Sequence, residues 1–345
     1  MKLDKRKGFL LFALLIGIFF LLFYDSCKPG EKEKKFLMEE GRVFGTFYKI
    51  VYESPTGKSL EPELKELFRS FDLSLSVFND SSIISRINRN DPAVIVDDYF
   101  RTVFETGQRV SEITDGAFDM TVAPLVNAWG FGFSHKDSIT PGLIKSLLKI
   151  TGYEKVHLEG DRVIKDNPAI MLDASAIAKG YASDVVAAFL NSKGIENYMV
   201  EIGGEVVVKG FNDRGTPWAI GITKPIDDST MMITELQRIV QIENGGLATS
   251  GNYRQYYHKD GKKYAHTINP HTGYPVDHNL LSVTVIAPNC MLADAYATAF
   301  MVMGLDQSMI IANFMPDIEA YFVYSNHQNS LAESYTEGFK KYLKD

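Results

Sequence analysis

Asp294 and Thr298 stand four apart in the run Ala293-Asp294-Ala295-Tyr296-Ala297-Thr298. On a helix that spacing puts both side chains on one face, one turn apart. The neighbours Leu292, Ala299, Phe300 and Met301 make the segment apolar almost all round, the mark of a mostly buried helix. A buried carboxylate is costly alone, so Asp294 should be paired or bound to a cation. A carboxylate and a hydroxyl are hard oxygen donors that suit magnesium, which keeps positions open for water and substrate phosphate. The alternative is an aspartate satisfied by a nearby lysine or backbone amide, with Thr298 bonding back to its own helix. Spacing alone leaves both open.

Asp173 follows the apolar run Ile170-Met171-Leu172, and Lys179 lies six residues further on. A carboxylate where a strand gives way to a helix can reach a ligand, and the lysine can meet a phosphate. The plainer reading is a capping residue and a solvated lysine. Neither Gly-x-Gly-x-x-Gly nor Gly-x-x-x-x-Gly-Lys-Ser/Thr occurs in this segment, so dinucleotide-fold and P-loop readings fail. Four of the seven histidines, His258, His266, His271 and His278, fall within 21 residues. Their gaps across Gly and Pro do not fix a tetrahedral zinc set, and His-Glu-x-x-His is missing. A lone histidine acting as general base for a hydroxyl nucleophile fits better, because imidazole titrates near neutrality.

The elements that must position these residues follow from periodicity. Residues 43–53 are rich in aromatic and β-branched side chains and read as a strand. Helical spacing marks 60–75 and 98–113. Residues 170–172 read as a short strand running into Asp173, and 175–193 as a helix closed by Gly194. Tyr198-Met199-Val200, Gly203-Gly204 and Glu205 to Lys209 have the pattern of a hairpin. Residues 281–287 alternate like a strand, and a helix over 290–303 follows, closed by Gly304. Strands and helices mix without regular βαβ alternation, so the expected class is α+β, with mixed or antiparallel sheets and packed helices in one domain.

The 345-residue chain carries a net charge of −7, which argues against a broad electrostatic grip on nucleic acid. Cys27 and Cys290 are its two cysteines, too few for a disulfide framework. Cations lead the N-terminus, and an apolar run of 17 residues extends from Gly8 to Tyr24. It ends in Asp25-Ser26-Cys27. That order makes residues 1–26 a secretory signal, with Cys27 the expected lipidated residue of a bacterial lipoprotein. Tyr24 and Asp25 depart from the small or aliphatic residues usual there, so an uncleaved signal anchor is the alternative. Residues 27–38 are then a tether and 39–345 an exported domain. It is expected to be held at the cytoplasmic membrane and to face the periplasm.

Together these segments resemble the ApbE family of FAD:protein FMN transferases. The likeness rests on Gly45-Thr46-Phe47-Tyr48, Ser76-Val77-Phe78-Asn79 with Ser85 and Asn88, Asp115 to Asp119, and Asp173 to Gly180. Ile202-Gly203-Gly204-Glu205, Ser250-Gly251-Asn252-Tyr253, Ala265 to Pro270 and Asp294 to Thr298 complete the order, over about residues 40–315.

The resemblance implies cleavage of the FAD pyrophosphate and transfer of FMN to a threonine hydroxyl of a redox protein subunit, with release of AMP. It implies Asp294 and Thr298 as magnesium ligands, joined by an oxygen from Ala176. It implies flavin contacts from Phe44, Phe78, the Ala117-Phe118-Asp119 turn, Asp173, Lys179 and Ile268, with His266 as the base. Phe44 stands where the family often has methionine, and Asn269 where it often has aspartate. A hydrolase giving FMN and AMP, and a flavin-binding lipoprotein without turnover, are the competing readings.

Overall fold

The structure, a computed structural model, describes residues 35–133, 138–226, 235–252, 256–259, 262–328 and 330–344. Cys27, the signal segment 1–26, most of the tether and Tyr253 lie outside the described residues. Phe36–Asp345 form one compact unit. No helix among the described residues is long and apolar enough to cross a membrane.

The strands in chain order are β1 (Lys35–Val43), β2 (Thr46–Ser54), β3 (Val156–Glu159), β4 (Arg162–Lys165), β5 (Tyr198–Ile202), β6 (Glu205–Lys209) and β7 (Trp218–Thr223). There follow β8 (Leu236–Ile242), β9 (Asn244–Gly251), β10 (Tyr256–Lys259), β11 (Lys262–Ala265), β12 (Leu280–Ala287), β13 (Glu319–Ser325) and β14 (Leu331–Tyr335). The helices are α1 (Glu61–Leu75), α2 (Ile83–Asn88), α3 (Asp98–Ile113), α4 (Ala123–Trp129), α5 (Pro141–Leu148), α6 (Ala178–Ser192), α7 (Cys290–Met303) and α8 (Leu305–Phe314).

One eight-stranded sheet, ordered β1-β2-β5-β6-β9-β12-β13-β14, organises the unit, and three two-stranded ribbons decorate it. The pairs β2–β5, β5–β6, β6–β9, β9–β12, β12–β13 and β13–β14 are antiparallel. Side-chain alternation sends β6 residues to opposite faces. Val207 joins the large core under α6 and α7, while Val206 and Val208 join a second core with Trp218 and Val240 of the β7–β8 ribbon. Both faces of the sheet centre are thus covered, and the α+β expectation holds.

Helices 98–113 and 290–303 have the bounds that periodicity predicts. Three expectations shift. The strand over 43–53 is broken, because Phe44 (φ 51) and Gly45 (φ 74) form the turn between β1 and β2. Two consecutive positive φ angles are what a type I′ hairpin turn needs. β1 also begins at Lys35, so residues 35–38 belong to the sheet and not to the tether. Residues 170–172 form no strand. Instead the Asn88 side chain donates to the Leu172 carbonyl at 2.8 Å and accepts from its amide at 2.7 Å. One amide side chain does there what a neighbouring strand would do.

Candidate active site

The site is built where α6 and α7 cross. The sequence of α7, Cys-Met-Leu-Ala-Asp-Ala-Tyr-Ala-Thr-Ala-Phe-Met-Val-Met, is apolar on nearly every side, and the helix is accordingly buried. Its N-terminal amides need acceptors. Asn289 caps Leu292, and the Asp184 carboxylate of α6 accepts from Cys290 N at 2.9 Å and Met291 N at 2.8 Å. Burial pushes the Asp184 carboxyl up to about 6, opposed by those two amides. The Cys290 thiol is fully buried, which holds it well above its usual range, so it is an inert packing group.

The capping is mutual. α6 starts after Ile177, which has no side chain to cap it. Its Gly180 amide instead donates to Asp294 Oδ2 at 3.0 Å. Gly180 is required for that approach, because a Cβ there would fall 2.3 Å from the Cys290 carbonyl and 2.8 Å from Asp294 Cβ. Asp294 is 3% exposed. The backbone-amide alternative is thus correct for one of its oxygens. Thr298, half-buried one turn on, does not bond back to its helix among the described residues. Its hydroxyl meets Ser250 Oγ of β9 at 3.3 Å.

Lys179, next to Gly180, is not simply solvated. Its ammonium lies 3.3 Å from Glu205 Oε1 and 3.3 Å from the Ser175 carbonyl. Glu205 opens β6 directly after the Gly203-Gly204 turn, whose φ angles are 69° and 101°. It is buried, and its Oε2 has no partner among the described residues. Desolvation works to lower Lys179, but the charges of Glu205 and Asp294 outweigh it and hold the lysine above its ordinary range. Burial drives Glu205 upward, with Lys179 opposing and Asp294 reinforcing.

A second arm reaches the crossing through Asp173. Its amide donates to the Met120 carbonyl at 2.8 Å, tying it to the turn that carries Ala117, Phe118 and Asp119. Its carboxylate accepts from Ser175 N at 2.8 Å and Ser175 Oγ at 2.5 Å, so Asp173 caps the loop that holds Ala176 and leads to α6. Ala117, Phe118 and Asp119 are all buried. Asp119 Oδ1 takes both the amide and the hydroxyl of Thr121, at 2.7 and 2.6 Å, while burial raises its carboxyl to about 6. A ligand beside this turn would meet backbone rather than side chains.

The remaining positions divide. Phe44 is half-buried and packs against the core, its ring 5.8 Å from Phe68 and 5.3 Å from Phe71. Ile268 is buried with Leu125, Trp129 and Ile144. Phe78 is 78% exposed and meets Phe133 edge-on at 6.4 Å. His266 is half-buried just after β11 and lies edge-on to Phe131, also at 6.4 Å. The end of β9 joins the two halves: Ser250 touches Thr298, and Asn252 accepts from Thr267, the residue after His266, at 2.8 Å.

Sequence reasoning missed the capping role of Asp184 and the pairing of Glu205. A charged residue amid Ala182, Val185 and Val186 was a signal for the first. No local pattern announced the second. The described residues hold no group of three or more His, Cys, Asp or Glu placed for a metal.

The ApbE family model matches residues 44–322. The FAD:protein FMN transferase of Vibrio cholerae is 39% identical over 307 residues, covering 86% of this chain and 90% of that protein. That of Haemophilus influenzae is 33% identical over 343 residues, covering 95% and 97%. Among solved structures, the flavin transferase ApbE from Vibrio cholerae superposes with a TM-score of 0.81 at 36% identity, covering 90% of this chain and all of that one. The apo flavinyl transferase ApbE of Pseudomonas stutzeri gives 0.79 at 33% identity, covering 90% and 97%. A shared fold and sequence likeness along nearly the whole domain place this chain in the ApbE family.

Proposed function

We propose that this protein is a magnesium-dependent FAD:protein FMN transferase that joins FMN through a phosphoester to a threonine of a redox protein subunit and releases AMP. The observation that carries the reading is the mutual capping of α6 and α7. It fixes a buried Asp294 next to Lys179, one turn from Thr298, in a chain of this family.

The residues fit a magnesium ion. Asp294, Thr298 and an oxygen of Ala176 are hard donors. Among the described residues, Asp294 and Glu205 share the positive charge of Lys179 and the buried Glu205 Oε2 lacks a donor, so one more cation would relieve the local balance. When bound, the ion would neutralise charge on the pyrophosphate as the bridging bond breaks.

The chain's own residues do the rest. Lys179 binds the phosphate oxygens, where a fixed cation in a poorly solvated site is worth far more than in water. His266 takes the proton of the acceptor threonine, whose oxygen forms a bond to the FMN phosphorus while the bond from that phosphorus to the AMP oxygen breaks. The backbone of the 117–119 turn and the rings of Phe78 and Phe44, with Ile268, would flank the isoalloxazine, and Asp173 holds the turn to α6. Export through residues 1–26 and attachment at Cys27, or an uncleaved anchor, would place this chemistry at the periplasmic face of the membrane.

The test mixes the domain with FAD, Mg²⁺ and a threonine-bearing flavoprotein subunit. A flavin-fluorescent acceptor band on a denaturing gel, with AMP released, is the expected result. AMP with an unlabelled acceptor would make the protein an FAD hydrolase, and intact FAD despite tight binding would make it a carrier.

A further inference from the structure

Lys179 occupies the first turn of α6, where the helix presents the positive end of its dipole and a cation is placed against the field. No acidic residue shares that turn. Its carboxylate partner comes from β6. Glu205 is buried to give that contact, and its other oxygen is left without a hydrogen bond among the described residues. Stability is a poor reason for such a pair, since exchanging a buried ion pair for neutral groups is often neutral or stabilising.

The arrangement has a direction. The Lys179 side chain keeps 33% of its surface exposed, whereas that of Glu205 keeps 8%. The carboxylate is the more deeply buried partner, and part of the lysine chain reaches the open side. The Gly203 turn is kept clear for this geometry: a Cβ there would fall 3.1 Å from Glu205 Oε2 and 3.2 Å from Lys179 Cδ.

We infer that Glu205 is a positioning residue, which holds the Lys179 ammonium at the pyrophosphate end of the site for the charge that develops during transfer. The inference rests on the FMN-transfer reading. Glu205 acts through Lys179 and touches no reacting atom. Its own negative charge opposes binding of an anionic substrate, so its role is to aim the lysine rather than to raise ground-state affinity. Removing it should therefore separate turnover from binding.

The test is a double-variant cycle with Lys179→Gln, Glu205→Gln and the two combined. It reads kcat and KM for FAD with Mg²⁺, FAD affinity by flavin fluorescence, and Tm. Glu205→Gln should lower kcat about tenfold or more without raising KM or weakening FAD binding. Lys179→Gln should lower kcat and weaken binding together. The double variant should match Lys179→Gln within about twofold, because a residue acting through another adds nothing once that other is gone. Multiplying losses in the double variant would overturn the inference, as would a kcat within about twofold of wild type for Glu205→Gln. If Glu205→Gln alone does not fold, the double variant against Lys179→Gln still decides, because a double variant about tenfold or more below Lys179→Gln in kcat would overturn the inference. A wild-type protein that neither binds nor turns over FAD would sink the transfer reading and this one with it. An active wild type with an additive cycle sinks only this one.

Discussion

At the α6–α7 crossing, Asp184, Asp294, Lys179 and Glu205 each have a fixed neighbour on another element. Around Phe78 the arrangement is the opposite: an aromatic ring 78% exposed, with Phe133 as its ring partner. The difference follows from what each region would handle. Charges must sit at fixed distances in a poorly solvated place to act on a phosphate, and helix ends with buried caps provide that. A flat, largely apolar ring needs only surface to lie on. On the proposed reading, geometry is thus spent on the crossing that would meet the phosphates, and exposure is tolerated at Phe78.

The sharpest way to break this contrast is Asp294→Ala. Magnesium-dependent turnover should fall about 100-fold or more. The buried Gly180 amide, left without an acceptor, should cost about 1–3 kcal/mol of stability. One substitution would then damage catalysis and fold together, as expected of a group that both caps and binds. Activity equal to wild type in steady-state assays would remove Asp294 from the site. His266→Ala should lie between the two regimes. Transfer should drop by about 100-fold as the base is lost, with FAD affinity retained. Lost FAD binding would show that the half-buried His266 shapes the pocket instead.

Asp184 tests the crossing from its structural side. Its carboxyl titrates at about 6 in the folded protein against 3.8 ordinarily. Between those values the folded state holds more protons than the unfolded one, so this group's contribution to stability falls as pH rises. The stability of wild type relative to Asp184→Asn should therefore be greatest below pH 3.8 and decline to about pH 6. Denaturant melts at stepped pH measure it. A flat difference would mean that Asp184 is not held in a desolvated cap.

Much of this contrast is readable in the chain before any coordinates. The even apolarity around Asp294 announces a buried carboxylate, and the bounds of α3 and α7 follow from their periodicity. Long-range pairing is what periodicity cannot show. Nothing near Lys179 points to Glu205, 26 positions on. Nothing in Ile170-Met171-Leu172 reveals that an Asn88 side chain replaces the expected strand partner. The Phe44-Gly45 turn was hidden because a bulky residue with positive φ is uncommon. At Asp294 the structure shows the amide-bonded reading for Oδ2, and the proposed ligand role would fall to the other oxygen.

The smallest expected effect sharpens the comparison most directly, because it sets two phenylalanines of one proposed role against each other. Phe78 projects into solvent, so Phe78→Ala should change unfolding stability by less than about 0.5 kcal/mol. If its ring lies on the flavin, FAD affinity should weaken by roughly 0.5–1.5 kcal/mol, the usual worth of an aromatic pair, with kcat at saturating FAD unchanged. Phe44 packs against Phe68 and Phe71, and its truncation should cost about 2 kcal/mol or more in stability through the cavity it leaves. Affinity by flavin fluorescence and stability by denaturant melts separate the two. If Phe78→Ala lowers stability as much as Phe44→Ala, Phe78 is buried in the folded protein and the ring end is as tightly built as the phosphate end. If it leaves both quantities at wild-type values, the flavin lies elsewhere, and the inward-facing 117–119 turn and Ile268 must hold the ring without it.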